Sequence, residues 1–537
     1  MPKQCILAAL IASSVCAQSA TDTLSEGIEL LKKGNAQSAL PFLRRAVVEK
    51  PRSAIAHNYY GFALGQIGAV DQAIDEFRTA LRIDPRYADA YYNLGTALVI
   101  EGQYAAAVQN LEQALAFRPD FPEAQFELAN ALAQRGEAHA AIKTLREALR
   151  LKPDMVAAHT ALGTLYSQTG DTTEAVSEFR IAVTLQPRSP ETHNNLGVSL
   201  DQNGDLNGAI VEFREAIAVD QKFAPAILNL AQAMRDKGDL TAAIAYYRQA
   251  ITLEPKSAPL HADLGFTLKR NDQLPEAIRE LQIALQLGPD LARSHFYYAE
   301  TLAQSGDHTA ALEQYREAAR LSPKDAEFHL KYGSALIETS PKEGVTVLRQ
   351  AAELDVDNPQ ILTALATALR QSGDAQQAAV TFRKSREVSQ AAAAKSEASL
   401  QTNRAIEFLK QSRIEDAVQA LHLALGADPH LPEANEYMGM AQSALGKWPE
   451  ANQAFQAAVE ANPSNPDIHL NFGVALEKQG KWRDAANEFE AVLVLRPGQP
   501  QAVCRLADAL ERAGDGSHAA IVRKQAQQLT TGCELTF

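Results

Sequence analysis

Long apolar runs are missing from this chain of 537 residues. A helix that crosses a bilayer needs about 20 consecutive apolar residues, and no segment comes near that length. Runs of lysine and arginine are missing too, and the formal charge is −14. A phosphate-backbone partner calls for a basic stripe, so nucleic acid is not an expected ligand. Cysteine is scarce: Cys5 and Cys16 stand at the start, Cys504 and Cys533 near the end, and there are no others. The signatures of common chemistry are absent as well. There is no GxxxxGK[ST], no GxGxxG after a strand-like segment, no HExxH and no CxxC pair, which removes the usual nucleotide and zinc motifs. No enzyme activity, catalytic residue, cofactor or metal is expected.

What is present is ordinary folded-protein composition, 46% apolar and 22% charged, arranged with a fixed period. Prolines stand at Pro51, Pro85, Pro119, Pro153 and Pro187, then at Pro255, Pro289 and Pro323, then at Pro429, Pro463 and Pro497. Neighbours within each run are 34 residues apart, and ten residues after each proline comes Gly or Ala, as at Gly61, Gly95, Ala129 and Gly163. A period of this length marks a stacked array in which each unit buries its apolar face against its neighbours. Within Ala88 to Phe121, Tyr91, Leu94, Gly95 and Leu98 follow helical spacing, Gly102 marks a turn, and Ala107, Leu111 and Ala114 form a second helical face. Gly95 and Ala107 are expected where the two helices approach most closely, and Pro119 ends the second helix.

The start of the chain reads as an export signal over residues 1–17. Lys3 supplies a positive charge, Cys5 to Ala12 a short apolar stretch, and Val15-Cys16-Ala17 small residues before a cleavage point. The expected location is the periplasm or cell envelope. Removing the signal leaves Cys504 and Cys533, which an oxidising compartment allows to form a disulfide clamping the last unit.

This spacing of small, aromatic and proline residues resembles the tetratricopeptide repeat, a 34-residue helix–turn–helix, of the bacterial exported or envelope type. The resemblance runs over about 20–533, some fifteen units, and implies an all-α, right-handed superhelical solenoid. Two stretches depart from the pattern. The unit near 326–358 is one residue short, with Ser340-Pro341 where the turn glycine falls and Gly344 in place of alanine. Over 388–403 the phase slips, and neither Gly nor Pro occurs between Asp374 and Leu425. Eleven units over 20–392 are therefore expected, then a helical or flexible junction at 393–397, then four units over 398–533. Arg523, Lys524, Gln525 and Gln527 give the last helix the polar outer side of an end cap.

Seven of the twelve histidines, His57, His159, His193, His261, His295, His329 and His469, fall at the fourth position of their units. A ladder of metal ligands is one reading. Equivalent atoms in successive units lie roughly 10 Å apart, whereas zinc needs its nitrogens about 2.0–2.1 Å from one ion. Packing against the neighbouring helix is the preferred role.

The resemblance implies that first helices line a concave groove, with positions 5 and 9 facing a ligand. These give Asn58, Tyr92, Phe126, Asn194 and Phe296, and Phe62 and Phe266. Asparagines at position 6, Asn93, Asn195, Asn229 and Asn471, resemble the amide ladder of O-GlcNAc transferase repeats, which holds a peptide backbone. The leading expectation is a non-enzymatic scaffold holding protein or peptide partners in that groove. An envelope-assembly protein organising polysaccharide export or secretion is the alternative, and a fragment of a repeat-bearing glycosyltransferase stands behind it.

Overall fold

A computed structural model of the chain describes residues 23–497 and 499–529. The expected signal at 1–17 and Cys533 lie outside them. The described residues form 29 α-helices, from Thr23–Lys32 to Gly516–Leu529, and no strand.

The unit at Ala88 shows why this sequence alternates helix and turn. Helix A, Ala88–Ile100, ends where Gly102 takes φ +74. There the Gly102 N–H donates to the Val99 carbonyl and the Gln103 N–H to that of Leu98. Those two bonds satisfy carbonyls the helix end would otherwise orphan, and glycine reaches the left-handed region at little cost. Helix B, Tyr104–Phe117, follows at once. In two of the turns without glycine, Asp272 and Ser412 take the same left-handed conformation, each at φ 58.

The pair closes because Gly95 has no side chain. A Cβ there would lie 2.5 Å from Leu111 Cγ, so the residue that fills the space is Leu111, one turn beyond the expected Ala107. The same relation joins Gly197 to Phe213 and Gly473 to Phe489. The short unit solves the problem differently. Its helix A, Ala326–Leu336, has 11 residues, and helix B begins at Pro341 after Ser340. Gly344 then faces the Gly333 carbonyl, which an added Cβ would meet at 3.1 Å.

The chain divides into two compact units, 1–314 and 315–537. In the first, one core runs from Leu64 to Ala277 through Phe77, Leu111, Phe179, Phe213 and Tyr247. In the second, separate clusters form around Leu348, around Leu421 and around Phe489. One helix of 36 residues, Ala375–Lys410, contributes Ala378 to the first of these clusters and Ala405 to the second, and takes in the whole of 388–403. Ala378 and Ser385 are buried in its first half and Ala398, Thr402 and Ala405 in its second. Nothing from 386 to 397 is buried, about 18 Å of helix at 1.5 Å per residue. Alanine-rich sequence without breakers carries the helix through. No described helix is long and apolar enough to cross a membrane.

Candidate partner-binding face

The fourth-position histidines are held by hydrogen bonds rather than by apolar packing alone. His57 Nδ1 lies 2.5 Å from Glu76 Oε2, and its Nε2 lies 3.2 Å from the Pro51 carbonyl. His159, His193, His261 and His469 repeat the arrangement with Glu178, Glu212, Glu280 and Glu488 and with the carbonyls of Pro153, Pro187, Pro255 and Pro463. His295 has Gln314 in place of the carboxylate. His329 bonds the Asp325 carbonyl of its own helix. Among the described residues no group of three or more His, Cys, Asp or Glu could hold a metal ion.

The asparagines on the A helices meet across neighbouring units with an offset of 35 residues. Asn93 donates to Asn58 Oδ1 at 2.9 Å, Asn229 to Asn194 Oδ1 at 2.9 Å, and Asn471 to Glu436 Oε1 at 2.6 Å. These amides link one A helix to the next. Asn195 is different. It is half-buried, its side chain is without a polar partner among the described residues, and it faces a cleft of about 310 Å³.

That cleft lies between the A helices Val156–Thr169 and Pro190–Gln202. Thr164, Ser167, Gln168, Ser199 and Gln202 line it with Asn195, together with Val198 and the edge of Phe179. None of these carries a charge. Ser199 is 1% exposed, and its hydroxyl has no hydrogen-bond partner. A buried hydroxyl left unpaired costs about 1–3 kcal/mol. The signal in the sequence was a set of uncharged polar residues three or four apart on two successive A helices.

The aromatic residues expected in the groove divide into two kinds. Tyr92 and Phe296 are buried, and the Tyr92 ring packs 4.8 Å from that of Phe121. Phe62 and Phe126 are half-buried and lie against the core. Phe266 is also half-buried, but it stacks on Tyr297 at 4.3 Å, with Lys269 Nζ 5.0 Å and the Arg235 guanidinium 5.8 Å from its ring. Those cations are partnered in turn: Lys269 pairs with Glu300 at 2.6 Å, and Arg235 with Asp263 at 3.7 Å. This stretch of the A-helix face is therefore aromatic and charge-balanced, and position-by-position reading did not reveal the ion pairs.

Glu127, at position 6, is 3% exposed. Burial raises its carboxyl to about 7, opposed only by a 3.4 Å hydrogen bond from Asn130. Cys504 is buried in helix Pro500–Arg512.

Family models described as "TPR repeat" match residues 66–99, 95–136, 129–170, 231–272 and 443–480. Models described as "Tetratricopeptide repeat" match 160–225, 263–326, 470–530 and 359–384. Together these spans take in more than half of the chain. No curated protein matches it. Among solved structures, the chain is similar to YrrB, described as a TPR protein with an unusual peptide-binding site, at 22% identity over 34% of this chain and 95% of YrrB, with TM-score 0.31. It is similar to MamA from Desulfovibrio magneticus RS-1 at 23% identity, over 31% of this chain and 93% of that one, with TM-score 0.29. A Pseudomonas aeruginosa PilF structure gives 22% identity, 38% and 94% coverage, and TM-score 0.34.

Proposed function

This chain belongs to the tetratricopeptide repeat family, and we propose that it is a non-enzymatic scaffold that holds an extended, uncharged stretch of partner polypeptide on the A-helix face of its first compact unit. The cleft at Asn195 carries the reading. An amide side chain offers both donor and acceptor, so it pairs with a peptide unit whatever the partner's side chains. The free Asn195 amide and a lining without charge fit such a backbone. A charged partner segment would lose solvation there without gaining a counter-ion. Repeat arrays present extended surfaces of this kind, and a few well-placed groups rather than area set the affinity. The proposal includes export to the periplasm or cell envelope, on the pattern of Lys3, Cys5 to Ala12 and Val15-Cys16-Ala17.

The test begins with peptides selected from a random display library on the full chain. Their affinities are then measured for the parent and for Asn195→Asp, which keeps the shape but removes both N–H donors and adds a charge. At least about tenfold weaker binding, equivalent to about 1.4 kcal/mol, is expected with the helical circular dichroism unchanged. Equal affinity rejects the cleft as the site.

A further inference from the structure

We infer that the fourth-position histidines and their glutamates are proton-dependent clasps, which make the stacking of successive helix pairs tighter in acid and looser in mild alkali. Each clasp joins three pieces of chain. In the first, His57 stands on helix A, Glu76 on helix B of the same pair, and the Pro51 carbonyl in the turn that ends the pair before. A carboxylate and a proline carbonyl can only accept, and a neutral imidazole carries one N–H. With the glutamate ionised, both hydrogen bonds therefore exist together only when the ring carries two N–H groups and a positive charge. The same holds at His159, His193, His261 and His469, where the ring-to-glutamate distances are 2.6–2.7 Å. These side chains are 10% exposed or less, so water does not readily replace a lost bond.

The repeats themselves supply an independent observation. Wherever the fourth position holds a histidine bonded this way, Glu stands 19 residues later, with the one exchange to Gln314. Where the fourth position is Tyr91, Gln125, Ile227, Asn435 or Val503, the residue 19 later is Asn110, Thr144, Tyr246, Ala454 or Val522. A glutamate serving only as a solvated surface charge has no reason to follow the histidine. Asn435 also shows that the carbonyl can be covered without a titrating group, because its amide donates to the Pro429 carbonyl at 3.0 Å.

The direction follows from proton counting. The closed clasp holds one more proton than a neutral free imidazole, and stability falls with rising pH wherever the folded state binds more protons. The range to compare therefore runs from mild acid to mild alkali. Among the described residues the ion partner of each of these rings is its own glutamate. Glu127 titrates in the same sense, so it has to be silenced in the test. His295 is an internal control, since the Gln314 amide can turn to donate to a neutral ring.

The experiment compares thermal midpoints of the full chain at about pH 5.5, 7 and 8.5, spanning that range, in a Glu127→Gln background. The comparison variant adds Glu76→Gln, Glu178→Gln, Glu212→Gln, Glu280→Gln and Glu488→Gln, each of which copies the His295–Gln314 pair. Asp263, Glu436 and Glu477 are also raised by burial and remain in both proteins, so the midpoint is expected to fall more steeply with rising pH in the first protein than in the second. Equal slopes, or no slope in either, overturn the proposal. Nitrogen-15 spectra of histidine-labelled Glu127→Gln protein near the lower pH give a second readout that does not depend on the multiple variant folding. Five rings are expected in the doubly protonated form, converting to neutral as pH rises with a loss of amide protection at the adjoining turns. Rings that are neutral throughout, or that titrate without any loss of protection, reject it.

Discussion

Asn229 donates a side-chain N–H to Asn194 Oδ1 across 2.9 Å, joining two A helices that are consecutive in the chain. Asn195 stands next to Asn194 in sequence, on a neighbouring face of the same helix, and its amide stays unclaimed. Two adjacent asparagines thus have different tasks: the first fastens the array to its next unit, and the second is available to a ligand.

That difference is measurable as stability. Asn229→Leu removes the donor and leaves the buried Asn194 oxygen unpaired, which costs about 1–3 kcal/mol. Asn195→Ala breaks no hydrogen bond and should change stability by less than about 0.5 kcal/mol. Urea unfolding of the two variants beside the parent checks this, and equal midpoints for both would refute the division of roles.

Two glycines should fail for different reasons. A Cβ on Gly197 would lie 2.5 Å from Phe213 Cε1, so Gly197→Ala overpacks the helix pair at about 1–3 kcal/mol. Gly102 has open space around it but sits at φ +74, so Gly102→Ala costs about 1 kcal/mol through the backbone alone. Asn tolerates the left-handed region better than Ala. Thermal denaturation should therefore show Asn partly restoring stability at 102 and failing to do so at 197.

Glu127 makes stability depend on pH in a known direction. Its carboxyl is raised by burial from 4.5 to about 7, so the folded state holds the proton more tightly than the unfolded chain. Stability is then full below about pH 4.5 and declines as pH rises through about 7. The full shift corresponds to a loss on the order of 3 kcal/mol. Glu127→Gln should match the parent in acid and be the more stable protein above neutrality. Denaturant midpoints at the two extremes measure the difference, and parity at high pH would show that the carboxylate is solvated.

Much of the fold was legible because helix and turn are local matters. Gly102, Pro119 and the spacing of Tyr91, Leu94 and Leu98 act within a few residues of themselves, and the helices Ala88–Ile100 and Tyr104–Phe117 fall where that pattern put them. The candidate site was less legible. Tyr92 and Phe296 stand at groove-facing positions by analogy with the family, yet both are buried, Tyr92 against the Phe121 ring in the turn before the next A helix. The histidines were found at one position, but their double bonds needed the separate contributions of helix B and the preceding turn.

The period of 34 residues and its small-residue and proline marks are properties of the amino-acid order, and they determined an all-α array of paired helices without reference to any distant contact. Tertiary structure decided which polar groups were consumed in building it. Adjacent A helices meet with an offset of 35, so Asn58 takes Asn93 and Asn194 takes Asn229, while Ser199 and Asn195 are left facing the cleft. That one-residue offset comes from how side chains settle between packed helices, and only the packed helices contain it.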